Sequence, residues 1–248
     1  MNDASPVDVS IAIVNWNTSA LTRACLDALP AATGTLRADI WVVDNASADD
    51  SVEMIRRCHP TVHVLTNTHN VGYGSGMNQA IAASHGRYVL VLNSDTVPHP
   101  GSIERMVRYM DDHSGTGAVG PMLLNPDGSF QAGFSDFPTL LSETLCVTGI
   151  GARVWFKNYP NYSPERSRAE RRVDCIAGAC MLIRRRVIDD IDSSDELVSS
   201  SELACWEAPE ATAWLEAAIW LEAHETSSTE EATCTSASWS ASPTMRPS

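Results

Sequence analysis

A short β-rich apolar run that stops at polar residues and hands over to apolar residues at helical spacing recurs along the first half of the chain, and that recurrence restricts the fold more than any other feature. Val9 to Val14 is followed by Asn15-Trp16-Asn17, with Thr18-Ser19 placed to cap a helix carrying Leu21, Cys25 and Leu29. Ile40 to Val43 ends in Asp44-Asn45, with Ser47 expected as a helix cap, Asp49 and Asp50 in the first turn, and Val52 and Ile55 turned inward. Val62 to Leu65 precedes Asn70-Val71-Gly72-Tyr73-Gly74 and a helix with Met77, Ile81 and Ser84 on one face. Tyr88 to Leu92, the most apolar run, stops at Asn93-Ser94-Asp95 and leads past Pro98, Pro100 and Gly101 into a helix with Ile103, Val107 and Met110 in register. Strands and helices alternating over connections this short imply an α/β fold, a mainly parallel sheet with helices on both faces. Pro126-Asp127-Gly128 reads as a hairpin turn, and Val173 to Ile183, interrupted by Gly178, as a last core strand or strand pair.

This pattern does not run through the whole chain. Residues 192–248 carry 11 acidic residues and one basic residue (Arg246), 12 Ser, 10 Ala and four of the seven Trp, with no Gly, Asn, Gln or Lys. Residues 1–191 hold all 14 Gly and are nearly balanced in charge, so most of the net −14 belongs to the tail. A chain this acidic is repelled by nucleic acid, and only Arg166 to Arg172 is locally basic. Seven Cys with no Cys-x-x-Cys pair favour neither a zinc ribbon nor a disulfide framework, so a reducing, cytoplasmic compartment is expected. Met1 to Asp8 lacks the basic and long apolar regions of a signal peptide, and no stretch reads as a membrane span.

Polar residues gather just after the strands, where an open α/β sheet binds its ligands. Asn93-Ser94-Asp95 brings an amide and a carboxylate out of a central strand together, a pair able to hold a hard divalent cation against phosphates; a plain turn before Pro98 is the alternative. Asp44 could accept from a nucleobase N–H and Asn15 approach the same base or its ribose, or either could close an Asx turn. Gly72, Gly74 and Gly76 lack the spacing of a dinucleotide fingerprint, and close backbone packing is the commoner reason for such glycines.

Taken in order, Val9 to Asn17, Val42-Val43-Asp44-Asn45-Ala46-Ser47, Asn70-Val71-Gly72 with Asn78, and Leu92-Asn93-Ser94-Asp95-Thr96 make the chain resemble family 2 glycosyltransferases of the GT-A fold. The Asn-Trp-Asn loop and Val173-Asp174-Cys175-Ile176-Ala177-Gly178-Ala179-Cys180-Met181-Leu182-Ile183-Arg184 look most like bacterial rhamnosyltransferases of cell-wall or polysaccharide biosynthesis. The resemblance covers roughly residues 8–191 and divides the chain into a nucleotide-sugar-binding core, 1–191, and an acidic tail, 192–248. It implies an inverting transfer of a sugar, with rhamnose foremost, from a dTDP- or UDP-sugar to a glycan or polyprenyl-linked acceptor. On the donor side it implies Asn15, Asn17, Asp44, Asn45, Gly72, Asn78, Asn93 and Asp95, with Asp95 holding Mg²⁺ or Mn²⁺ although Asn93 stands where the family's metal motif carries its first acid. Gly178, Ala179 and Cys180 would face the acceptor. It further implies a cytoplasmic chain, with Arg166 to Arg172 available for peripheral contact with the inner face of the membrane.

The family's catalytic base lies after the Gly-Ala-Cys strand, in a segment with a Glu-Asp pair and a Cys-Trp-Arg helix. This chain has instead Asp195-Glu196 without aromatic neighbours, no Glu-Asp pair, and Cys205-Trp206-Glu207, which leaves Glu196 and Glu202 as the acids from which a base would be drawn. A Glu-Ala dipeptide read one base later always yields Lys or Arg, and the tail holds five such pairs, beginning with Glu207-Ala208. The tail is therefore expected to be family coding sequence read out of frame, poorly ordered and without the base, the alternative being a genuine acidic tail with a short Ala/Glu/Trp helix. The alternatives to an active transferase are a nucleotide-sugar-binding pseudoenzyme and a product lacking its base.

Overall fold

The computed structural model describes residues 6–131, 133–135, 170–192 and 233–236. Its elements are β1 (Val9–Asn15), α1 (Ser19–Thr33), β2 (Ala38–Asp44), α2 (Ser51–Cys58), β3 (His63–Thr66), α3 (Tyr73–Ala83), β4 (Tyr88–Asn93), β5 (Thr96–Pro98), α4 (Ser102–Asp112), β6 (Ala118–Val119), β7 (Met122–Leu124), β8 (Phe130–Gln131), β9 (Phe134–Ser135), β10 (Cys175–Ile176), β11 (Cys180–Arg184), α5 (Arg185–Asp192) and β12 (Thr233–Ser236). The main sheet runs β3-β2-β1-β4-β11-β6. Its first four strands are parallel, as the alternating pattern predicts, and β11 is antiparallel to both β4 and β6. The chain moves outward from β1 through β2 to β3 and then returns to lay β4 on the other side of β1, so the strand order reverses between β1 and β4.

Strand periodicity sorts the core into two layers. Val9, Ile11 and Ile13 of β1, with Tyr88, Leu90 and Leu92 of β4, pack against Cys25, Leu26 and Leu29 of α1, Met54 and Ile55 of α2, and Met106 and Met110 of α4. The alternate residues, Ala12, Val14, Val89 and Val91, pack with Met77 and Ala80 of α3 and with Val187 and Ile188 of α5. Burial on both faces explains why these strands read as continuous apolar runs. The same alternation fixes the polar residues at the strand ends: Asn15 and Asp44 fall on the α1 side, whereas Asn45 and Asn93 fall on the α3 side.

Arginines and acids fasten the opposite end of the sheet. Arg184 donates to the carbonyls of Met110 (2.7 Å) and Thr116 (3.1 Å), and Arg87 pairs with Asp111 (2.8 Å) and Asp8 (3.4 Å). The turn at Pro126-Asp127-Gly128 joins β7 to β8 as a hairpin, with Gly128 at φ 78°. Val173 to Ile183 resolves into two strands in different sheets: β10 pairs with β9, while β11 enters the main sheet.

Two local expectations are corrected. Ser47 does not cap α2, which begins at Ser51 after Asp50, and Asp49 and Asp50 precede the helix, whose first-turn acid is Glu53; Asp49 Oδ1 takes the Ser51 N–H (3.1 Å) and its Oδ2 takes the Ser19 N–H of α1 (3.0 Å). One carboxylate thus serves the first turns of two helices, and Ser47 is freed for the site below. Of the tail beyond Asp192, only residues 233–236 are described: β12 lies between β5 and β7, antiparallel to the first and parallel to the second, with Ser236 opposite Thr96. Glu196, Glu202, the remainder of the tail and Arg166 to Ala169 of the basic stretch lie outside the described residues.

Candidate active site at the strand ends

The carboxyl ends of β1 and β2 are tied together by a knot of buried polar groups. Asn15 Nδ2 donates to Asp44 Oδ1 (2.7 Å) and to Ser47 Oγ (3.0 Å), while Asn15 Oδ1 accepts from the hydroxyls of Thr18 (2.8 Å) and Thr22 (2.6 Å). Both donor and both acceptor positions of this fully buried amide are therefore used within the protein. Ser47 donates from Oγ to Asp44 Oδ1 (2.6 Å), gives its N–H to Asp44 Oδ2 (2.9 Å), and accepts the Asn17 N–H (2.9 Å). Asp44 is 2% exposed, with Oδ1 engaged twice and Oδ2 once, so Oδ2 keeps the larger remaining capacity to accept. Asn17 Oδ1 closes the loop by accepting from the Ala48 N–H (2.7 Å), with Asn17 and Ala46 both in the left-handed region at φ 54° and 60°. A ligand meeting this corner meets a preformed surface.

On the other face the β2 end is joined to the loop before α3. Asn45 Nδ2 donates to the Gly72 carbonyl (3.0 Å), and Asn67 Nδ2 donates to Asn45 Oδ1 (2.8 Å). Gly72 starts the helix at φ 86°, a conformation that favours glycine. At Gly76 an added Cβ would stand 3.3 Å from Asn45 Nδ2 and from both methyls of Val14, which accounts for the glycine by close packing of α3 on the sheet. Asn78, one turn into α3, is half-buried, and its side chain makes no hydrogen bond among the described residues.

The end of β4 carries the third group. Asn93 is held through its backbone, which donates to the Ala179 carbonyl (2.9 Å), and its Oδ1 accepts from the Tyr73 hydroxyl (3.0 Å). Ser94 Oγ lies 3.2 Å from Thr18 Oγ1, linking this loop to the β1 knot. Asp95 Oδ1 is sealed from solvent and has no hydrogen-bond partner among the described residues. Burial pushes the Asp95 carboxyl above the ordinary carboxylate range, and burial, then the charges of Asp95 and Cys180, push the Tyr73 hydroxyl well above the usual tyrosine range. An unpartnered buried carboxylate oxygen is costly unless a cation or donor completes it. The fit to a hard divalent cation is that of one protein carboxylate, since no group of three or more His, Cys, Asp or Glu converges among the described residues.

Gly178 and Ala179 are half-buried and precede Cys180, which is 1% exposed; a Cβ placed on Gly178 would meet nothing within 4 Å among the described residues. The sheet thus gathers Asn15, Asn17, Asp44 and Asn45 at adjoining strand ends, brings Asn93 and Asp95 beside them from β4, and sets Gly178 to Cys180 against β4 through β11. Thr22 and Tyr73 were not foreseen as site residues. Thr22 reads as one more helical position, and Tyr73 meets Asn93 through tertiary packing that strand and helix spacing do not encode.

The glycosyl transferase family 2 model matches residues 10–192. Among curated proteins, the N-acetylglucosaminyl-diphospho-decaprenol L-rhamnosyltransferase of Mycobacterium tuberculosis is 28% identical over 171 residues, 63% of this chain and 55% of that protein. The succinoglycan biosynthesis protein ExoO of Rhizobium meliloti is 27% identical over 169 residues, 66% of this chain and 48% of that protein. The chain spans about half the length of the curated relatives it matches. Among solved structures, the mannosyltransferase PcManGT of Pyrobaculum calidifontis in complex with GDP-Man and Mn²⁺ superposes with a TM-score of 0.59 at 16% identity, over 96% of this chain and 59% of that one. Staphylococcus aureus TarS in complex with UDP-GlcNAc gives 0.58 at 15% identity, over 95% and 60%. These likenesses bear out the GT-A architecture, and the sequence match carries the assignment: the chain belongs to glycosyl transferase family 2.

Proposed function

We propose that the chain transfers a sugar, rhamnose foremost, from a dTDP- or UDP-sugar to a polyprenyl-diphosphate-linked glycan with inversion at the sugar carbon. The observation that carries the reading is the sealed Asp95 Oδ1 at the end of β4, without a hydrogen-bond partner among the described residues, beside the preformed Asn15–Asp44–Ser47 corner at the point where strand order reverses. In this reading Asp44 Oδ2 accepts from the base, Asn15 positions Asp44 rather than touching the ligand, and Asn17, Asn45, Gly72 and Asn78 frame the nucleoside. Asn93 and Asp95 face the diphosphate, and Gly178 to Cys180 leave room for the sugar and acceptor. Mg²⁺ or Mn²⁺ held by Asp95 would neutralise charge on the departing diphosphate. Attack by an acceptor hydroxyl opposite the leaving group inverts the configuration, and it needs a carboxylate base from the segment after α5. The relative's printed name, with its rhamnosyl donor chemistry and decaprenol-linked acceptor, supports this choice of substrates.

No helix among the described residues is long and apolar enough to cross a membrane. The reading puts the chain in the cytoplasm, at most peripheral to the membrane, and recovery only in detergent would contradict it. Incubation with dTDP-rhamnose, Mg²⁺ and an N-acetylglucosaminyl-diphospho-polyprenol, with the product anomer read by NMR, tests the transfer. If the segment after α5 supplies the base, an inverted rhamnosyl product is expected, and a retained anomer or use of an unrelated donor would overturn the reading; an out-of-frame tail predicts no product.

A second reading, nucleotide-sugar binding without turnover, is favoured by one observation: the family match stops at residue 192, where the composition changes. Under it the chain binds nucleoside diphosphate and transfers nothing. Translating the gene in its other two frames decides its cause, because a Glu-Asp pair and a Cys-Trp-Arg helix should appear there; their absence from both frames would end the idea.

A further inference from the structure

We infer that Tyr73 is a positioning residue that turns Asn93 into a hydrogen-bond donor for the diphosphate, so that this chain grips phosphate partly without metal. The inference rests on the donor reading proposed above and concerns what the amide at Asn93 does there.

The backbone of Asn93 cannot shift. Its N–H is bonded to the Ala179 carbonyl at 2.9 Å, its carbonyl accepts from Cys25 Sγ at 3.9 Å, and the preceding residue, Leu92, pairs with Cys180 in register. What remains adjustable is the amide plane, whose final torsion has a broad, roughly two-fold preference. The Tyr73 hydroxyl, 3.0 Å from Oδ1, selects one side of that plane. A tyrosine hydroxyl is protonated at neutral pH and therefore able to donate. With Oδ1 engaged, Nδ2 carries two N–H donors that no described residue accepts, on a half-buried side chain. A phosphate at neutral pH is rich in acceptors, so it is attracted by that face and repelled by the oxygen face. Asp95 is the converse group, with one carboxylate oxygen, Oδ1, that accepts no hydrogen bond among the described residues. The two residues thus divide the work: Asp95 offers negative charge to a cation, and Asn93 offers N–H to phosphate. Tyr73 sits at the first position of α3, 38% exposed, so its hydroxyl can be removed without opening the core.

The test is a calorimetric titration with whichever of dTDP, UDP and GDP binds the full chain best, and with the matching nucleoside, in EDTA and in Mn²⁺. The variants are Tyr73→Phe, Asn93→Ala, the double variant, and Asn93→Asp. In EDTA, Tyr73→Phe and Asn93→Ala should each weaken the diphosphate about threefold to tenfold, as loss of one hydrogen bond would. The double variant should be no weaker than Asn93→Ala, and nucleoside affinity should not move. Asn93→Asp should lose EDTA binding more severely yet bind Mn²⁺ more tightly, because it exchanges a phosphate donor for a second carboxylate. Full diphosphate affinity of Tyr73→Phe in EDTA would overturn the inference. So would a parallel fall in nucleoside affinity, which marks a merely structural tyrosine, or an Asn93→Ala defect confined to Mn²⁺, which would make the amide oxygen a metal ligand. A wild-type chain that binds no nucleoside diphosphate in either buffer refutes the donor reading itself and this inference with it.

Discussion

Asp95 shows most directly how a site residue trades stability for chemistry. Burial favours its neutral form, so the native state binds the proton more tightly than the unfolded chain does. Its contribution favours folding below the ordinary carboxylate range and is lost as pH rises through the raised native value. Asp95→Asn should therefore raise the melting temperature by about 2–4 °C at roughly pH 7 in EDTA, a difference that closes at about pH 3. Differential scanning calorimetry at both pH values checks this, and a lower melting temperature for the variant near neutrality would mean that Asp95 has a stabilising partner. Asn15 behaves oppositely. Asn15→Ala removes two donors and two acceptors from a fully buried knot and leaves Asp44 with only Ser47, at a cost of about 2–4 kcal/mol by urea unfolding. Asp44→Ala should lower affinity for dTDP, UDP and GDP independently of metal and blur discrimination among them; unchanged discrimination would remove Asp44 from base recognition.

At the scale of elements, α3 is the piece whose placement couples the nucleoside side to the diphosphate side. Gly72 and Gly76 bind it to β2 and β1, and Tyr73 reaches β4. Gly76→Val would place methyls where Val14 and Asn45 already stand, so α3 must lift; a loss of about 1–3 kcal/mol in stability is expected, together with weaker nucleotide binding. Retained affinity at wild-type stability would show that α3 does not set the site. The strands and helices themselves were legible because two-sided burial writes β1 and β4 as unbroken apolar runs and because each helix carries its apolar positions one turn apart. The polar strand ends were legible for the same reason: an Asn or Asp stops each run. Less visible was the division of labour. Asn15 looks in sequence like a ligand contact, yet Thr18 and Thr22 saturate its oxygen, and Ser47 looks like a helix cap, yet it is bonded to Asn15 and Asp44 before the helix begins at Ser51. Side-chain hydrogen bonds between loops 30 residues apart leave no periodic trace.

For the whole molecule, the two kinds of sequence meet in the smaller sheet β5-β12-β7-β8, not in the main one. The residues gathered at the candidate site lie at or just beyond the strand ends of the main sheet or at the start of α3, and all of them precede residue 192. Beyond that point the chain supplies β12, inserted beside β5 one residue from Asp95. The sequence could not foretell that pairing, because Thr233 to Ser236 has neither apolar alternation nor a turn signal to fix its register. The central claim is that a nucleoside diphosphate lies across this corner with a cation on Asp95. Titrating dTDP, UDP and GDP calorimetrically into wild type and Asp95→Asn, with Mg²⁺ and with EDTA, tests it most directly. Wild type should bind one of the three more tightly with Mg²⁺ than with EDTA, and Asp95→Asn should lose that gain while keeping its EDTA affinity; equal affinity of the two proteins in Mg²⁺ would contradict the account.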